Sequence, residues 1–138
     1  MVLHVGRAAL RSSRERLNRD AGLVLEEGDG ATSFLLLFYA TECGLKERLL
    51  VRCGGRSTEA VASYGHDLRK MAKELKLPAS VWRRLSDLDG CRLRCQGQGD
   101  IAFKELHQAW RYGAKLDPRA ERAVVALLRE LISWREKD

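Results

Sequence analysis

The chain of 138 residues is one domain's worth, and with 45% apolar and 32% charged residues it has the composition of a globule that buries a core, which excludes disorder of the whole. The apolar run 34–40 is far short of the ~20 residues that span a bilayer, and the start, MVLHVGRAALRSSRERL, lacks the apolar core and cleavage pattern of a signal peptide, so the expectation is a single cytoplasmic domain over 1–138 with no membrane association. The net charge of +6 is unevenly placed: residues 1–30 and 116–138 are each neutral, while residues 31–115 carry fifteen basic against nine acidic side chains and would attract polyanions.

In chain order, residues 7–27 read as a first helix, with Leu10, Leu17, Ala21 and Val24 on its apolar side and Arg14, Arg16 and Arg19 on the wet one. Gly28, Asp29 and Gly30 form a turn, short enough to make the next helix antiparallel to the first. That second helix, SFLLLFYATECGLKERLLVRC over 33–53, is the most apolar stretch and the expected centre of the fold; Gly54 and Gly55 end it. Phe34, Leu37, Phe38, Thr41, Leu45 and Leu49 fall on one stripe, and Leu35, Tyr39, Glu42 and Lys46 on a second beside it. A carboxylate on a half-buried stripe needs a partner, and Arg111 is the expected one for Glu42.

A third helix is expected from His66 to about Leu75, with His66 and Asp67 at its start, and a fourth over ASVWRRLSDL with Ser80 as N-cap and Val81, Leu85 and Leu88 inward. DGCRLRCQGQGD reads as a mobile loop, residues 101–112 return to helical spacing through Phe103, Leu106, Ala109 and Trp110, and no segment suggests a sheet. Asp117 before Pro118 starts the last helix, which reaches about Trp134. Its apolar set, Ala120, Val124, Leu127, Leu131 and Trp134 flanked by Val125, Leu128 and Ile132, is broad: either the helix is central or one flank serves a subunit interface.

No metal or cofactor site is expected. Cys43, Cys53, Cys91 and Cys95 are separated by nine, thirty-seven and three residues, which is not the paired short spacing of a zinc knuckle, and in a cytoplasmic protein they are reduced thiols. Gly97 and Gly99 follow no strand, so no dinucleotide- or phosphate-binding loop is read there. The basic middle supplies the candidate nucleic-acid contacts Arg52, Arg69, Lys70, Lys73, Arg83, Arg84, Arg92 and Arg94, without aromatic residues interleaved as stacking platforms.

The remaining polar constellation is Glu42, Lys46, His66, Asp67, His107, Arg111 and Tyr112. The run YATECGLKERLL, then GHDLRKMAKEL, then a helix ending in RYG ahead of a long last helix resembles the HEPN superfamily of small all-α prokaryotic domains over roughly residues 20–136. Glu42, Lys46, His66, Asp67, Arg111 and Tyr112 stand at the matching positions. The resemblance implies an all-α, up-and-down bundle of five to six helices that dimerises or binds the product of a neighbouring gene in toxin–antitoxin, antiphage defence or CRISPR-associated systems. Active members of the superfamily are metal-independent RNases with an Arg four to six residues before a His. This chain lacks that spacing, since His107 precedes Arg111. The expectation is therefore a non-catalytic interaction module that binds a protein partner and RNA or DNA. Its alternative is a divergent endoribonuclease in which His107 serves as base and Arg111 as the cation for the phosphorane, one helical turn apart.

Overall fold

The computed structural model describes residues 3–87, 90–92 and 100–137, with the backbone alone at 86, 90–92, 100 and 134–137. Leu88, Arg94, Cys95, Gly97 and Gly99 lie outside the described residues, as do the side chains of Cys91, Arg92 and Trp134.

The fold is all-α. Three long helices, α1 (Arg7–Glu26), α2 (Gly30–Cys53) and α6 (Pro118–Lys137), are joined by the short α3 (Leu68–Glu74), α4 (Ala79–Asp87) and α5 (Leu106–Arg111). A 3₁₀ segment over Thr58–Tyr64 follows α2, and another over Phe103–Glu105 leads into α5. The expectation of no strand needs one correction: β1 (Gly90–Arg92) and β2 (Asp100–Ala102) pair as a short antiparallel ribbon at the two ends of the segment read as a loop. Pairing three residues satisfies the backbone where the chain leaves α4 and returns to α5.

Local chemistry explains the long helices. Gly28, at φ 90°, closes α1, and Asp29 caps α2 by accepting from the Thr32 amide at 3.0 Å and its hydroxyl at 2.7 Å. Gly54, at φ 72°, ends α2 in the left-handed conformation, with the Gly55 amide bonded to the Leu50 carbonyl. Within the α1–α2 hairpin, the buried Ser33 hydroxyl donates to the Ala21 carbonyl at 2.7 Å.

α2 is the centre, touching α1, α3, α5 and α6. Its first stripe is largely covered, with Leu37, Phe38, Leu45 and Leu49 buried beside Ala40 and Leu50, and the Thr41 hydroxyl donates to the Leu37 carbonyl and reaches the Leu128 carbonyl on α6 at 3.3 Å. Of the second stripe, Glu42 is buried and Leu35, Tyr39 and Lys46 are half-buried. The breadth of the apolar face of α6 follows from its place in the core. Val124, Leu127, Leu128 and Leu131 are buried together with the flanking Val125 and Ile132, so that flank is spent within the chain rather than on a subunit interface.

Three further expectations are corrected. Arg14, placed on the wet side of α1, is buried at 3% exposure, close to where Arg11 reaches across to the buried Glu47 on α2 at 3.3 Å. Ser80 is not an N-cap: α4 begins at Ala79, and the Val81 and Trp82 amides both bond to the Pro78 carbonyl. α3 begins at Leu68, after Asp67, whose carboxylate caps it by accepting from the Lys70 amide at 3.1 Å. His66 is thereby left outside the helix, which sets up the site.

Candidate functional site

The charged stripe of α2 stands behind a cleft between α3 and α5, which it meets through Glu42 and the His66 ring on the cleft wall. Glu42 is 9% exposed, and its two oxygens are spoken for: Oε2 accepts from Lys46 Nζ at 3.1 Å, and Oε1 lies 2.6 Å from His66 Nδ1. A carboxylate is an acceptor only, so Nδ1 carries the proton and the outer nitrogen, Nε2, is left free to exchange protons with a ligand. Gly65, at φ 57°, turns the chain so that the His66 ring comes back over α2.

His107, the second residue of α5, stands opposite. The two imidazole rings are 4.8 Å apart between centroids, and the His107 ring also packs on Phe38 at 5.2 Å and Tyr39 at 6.2 Å. His107 is 6% exposed, and its Nδ1 is buried near the Lys104 carbonyl without reaching hydrogen-bond geometry. Burial first, then the neighbouring His66 and Arg111, hold its pKa below the usual histidine range, so the ring is a neutral base at neutral pH.

Arg111 lies one turn further along α5 and donates to the Tyr39 hydroxyl. Hydrogen bonds to Tyr39 and then Tyr112 push its guanidinium above its ordinary range. The cleft in front of the two histidines has a volume of about 370 Å³ and is lined also by Tyr64, Gln108, the cations Lys70 and Lys104 and the carboxylates Asp67 and Glu105. Lys70 extends over the Tyr64 ring, 5.5 Å from its centroid. Two imidazoles, one neutral and one held by a carboxylate, stand beside Lys70 and Lys104 with Asp67 and Glu105 on the same wall, an arrangement chemically able to accept a proton at His107 and to pair its cations with an anion.

The structure thus brings Glu42, Lys46 and His66 together, and places His107 against His66 with Arg111 nearby through Tyr39. The pairing expected between Glu42 and Arg111 does not form: Lys46 and His66 occupy the carboxylate, and Arg111 is turned to Tyr39. Asp67 is spent on capping α3, and Tyr112 is exposed. Among the candidate nucleic-acid contacts, Lys70 is in the cleft, Lys73 and Arg83 are exposed, and Arg69 is partly buried. Arg52 donates to the Glu74 carbonyl at 2.6 Å and Arg84 pairs with Glu130.

Among the described residues no group of three or more metal-ligating side chains gathers. Cys43 and Cys53 are free thiols, and burial pushes Cys43 up to about 11. No helix among the described residues is long and apolar enough to cross a membrane. Compared with family models, with curated proteins and with solved structures, the chain matches none.

Two contributors escaped the sequence reading. Tyr39 was visible on the second stripe, one turn before Glu42, but its hydroxyl partner lies seventy-two residues away. Lys104 precedes His107 by one helical turn, so it faces the same side, and that spacing was a signal available in the sequence.

Proposed function

We propose that this chain is a HEPN-like RNA-directed protein whose His66–His107 cleft cleaves single-stranded RNA by attack of a 2′-hydroxyl on the adjacent phosphorus. The observation that carries the reading is the pair of imidazoles 4.8 Å apart in a lysine-lined cleft, one held by a buried carboxylate and the other kept neutral by burial. His107 takes the proton of the 2′-hydroxyl as the new P–O bond forms. Protonated His66 gives a proton from Nε2 to the departing 5′-oxygen as the P–O5′ bond breaks, which leaves a 2′,3′-cyclic phosphate and a 5′-hydroxyl. Lys70 and Lys104 offset the charge that gathers on the phosphorane oxygens, while Arg111, turned to Tyr39, does not line the cleft. No Arg-to-His spacing is needed for this chemistry, because the second imidazole does the work assigned to that motif's partner.

The low exposure of His107 favours a second reading, in which the cleft binds RNA without cutting it and serves assembly with a protein partner. By the resemblance, either role belongs to a toxin–antitoxin, antiphage defence or CRISPR-associated system, with a second copy or a neighbour-encoded protein as partner.

The test is incubation of purified protein with a defined single-stranded RNA in the presence of a chelator, beside His66→Ala and His107→Ala variants. We expect wild-type cleavage with cyclic-phosphate ends, reduced by about 10²-fold or more in each variant, the usual size of a general acid or base contribution. RNA that is bound at low salt yet stays intact would replace the nuclease reading with the binding one.

A further inference from the structure

A second cavity lies one turn along α3 from the histidine cleft. It is a notch of about 290 Å³ between α3 and α4, lined by Ala72, Lys73, Lys76, Leu77, Ala79 and Trp82. Its floor is apolar, since Ala72 and Leu77 belong to the core, and its wall is the partly buried Trp82 indole. Its rim is cationic. Lys73 and Lys76 are both exposed, and neither enters an ion pair among the described residues. Lys76 adopts φ 55°, an uncommon conformation for a side chain of its size, at the turn from α3 toward α4 that brings it beside Lys73 on the notch.

An aromatic wall, an apolar floor and two unpaired ammonium groups are complementary to a flat base that carries a phosphate. Aliphatic ligands would leave the lysines without a partner, and a free phosphate would leave the indole unused. The position along the fold agrees. Lys70 lines the histidine cleft and Lys73 lines the notch, three residues apart on one face of α3, so a strand whose phosphate sits at the histidines reaches the notch with a neighbouring nucleotide.

We propose that the notch is a nucleobase-binding subsite, in which Trp82 stacks one base of a single-stranded RNA while Lys73 and Lys76 hold the adjoining phosphate. The identification of the strand as RNA rests on the function proposed for the neighbouring cleft; the notch itself accounts for a base with its phosphate.

The test uses fluorescence anisotropy of a labelled single-stranded RNA oligonucleotide carrying 2′-O-methyl groups, which cannot be cut, with full-length protein. Trp82→Leu should weaken binding roughly 5- to 100-fold, the span of one lost base–aromatic stack. Trp82→Phe, which keeps a π-face, should retain most of the affinity, and Lys73→Gln with Lys76→Gln should weaken binding and flatten its salt dependence. Circular dichroism and thermal unfolding of each variant separate lost binding from lost fold. A folded Trp82→Leu protein with wild-type affinity would overturn the proposal, as would a wild-type protein that does not bind the oligonucleotide. Adenosine monophosphate bound as tightly as the oligonucleotide would overturn the assignment to a strand and make the notch a site for a free nucleotide. Trp82-dependent binding by a protein that leaves unmodified RNA intact sinks the nuclease reading alone, whereas cleavage with Trp82-independent binding sinks this one alone.

Discussion

His107 is the residue on which structure and chemistry pull in opposite directions, because burial both fits it to act as a base and opposes its protonation. Its folded pKa lies below the usual value of ~6.5, with burial, His66 and Arg111 lowering it and Glu42 opposing them. When the pH falls through that unfolded value, the unfolded chain takes a proton that the folded chain declines, so this group's contribution is full above ~6.5 and is lost as pH drops toward the folded pKa. Urea unfolding of wild type and His107→Gln at pH 7.5 and pH 5 should therefore show a smaller acid loss in the variant. Parallel losses would remove the linkage. The sequence made half of this arrangement legible: a carboxylate on an apolar stripe announced that Glu42 needed partners, and Lys46, at helical i+4 spacing, was one of them. The other half, His66, approaches from a turn twenty-four residues on, and which distant group fills a carboxylate's second oxygen is set by tertiary packing, with Arg111 and His66 equally placed by local pattern.

At the scale of elements, the boundaries that depend on a few adjacent residues were the ones that could be read. Gly28–Asp29–Gly30, Gly54 and the Asp117–Pro118 start of α6 all act within one turn of chain, and each does what its chemistry dictates. Ser80 shows the limit, because Pro78 offers its carbonyl to the same turn and the helix begins before the serine. The contrast gives a prediction. Asp117 accepts from the Ala120 amide at 2.9 Å, so Asp117→Ala should cost about 1 kcal/mol in denaturant unfolding. Ser80 is exposed and caps nothing, so Ser80→Ala should stay within about 0.5 kcal/mol of wild type. Equal effects at the two positions would mean that the caps do not decide these helices. The β1–β2 ribbon was illegible for a different reason: three residues carry too little alternation to announce a strand, and the pairing is a relation between segments ten residues apart.

For the whole molecule, the uneven charge becomes a surface only after folding has sorted the basic residues into those with partners and those without. Arg84 is tied to Glu130 and Arg52 to a carbonyl, and the guanidinium of Arg111 is held by Tyr39, whereas Lys70 and Lys104 line the histidine cleft and Lys73 and Lys76 line the Trp82 notch. A net charge of +6 alone would suggest diffuse attraction to any polyanion, with no ordering among the cations. On the proposed RNA path, four ammonium groups, Lys70 and Lys73 on α3, Lys76 in the turn after it and Lys104 in the 3₁₀ segment ahead of α5, would instead make a defined number of phosphate contacts, and a count of contacts has a thermodynamic signature. For a single strand the slope of log K against log salt is about −0.7 per phosphate neutralised, so binding of single-stranded RNA should follow a slope of about −3 between 50 and 200 mM salt. Lys70→Gln with Lys104→Gln should flatten that slope by about 1.4, and Arg84→Gln, which removes a cation already paired with Glu130, should leave it nearly unchanged. If Arg84→Gln flattened the slope as much as the lysine pair did, the attraction would belong to the net charge of the chain rather than to the α3 face, and the path drawn from the histidines to Trp82 would lose its electrostatic basis.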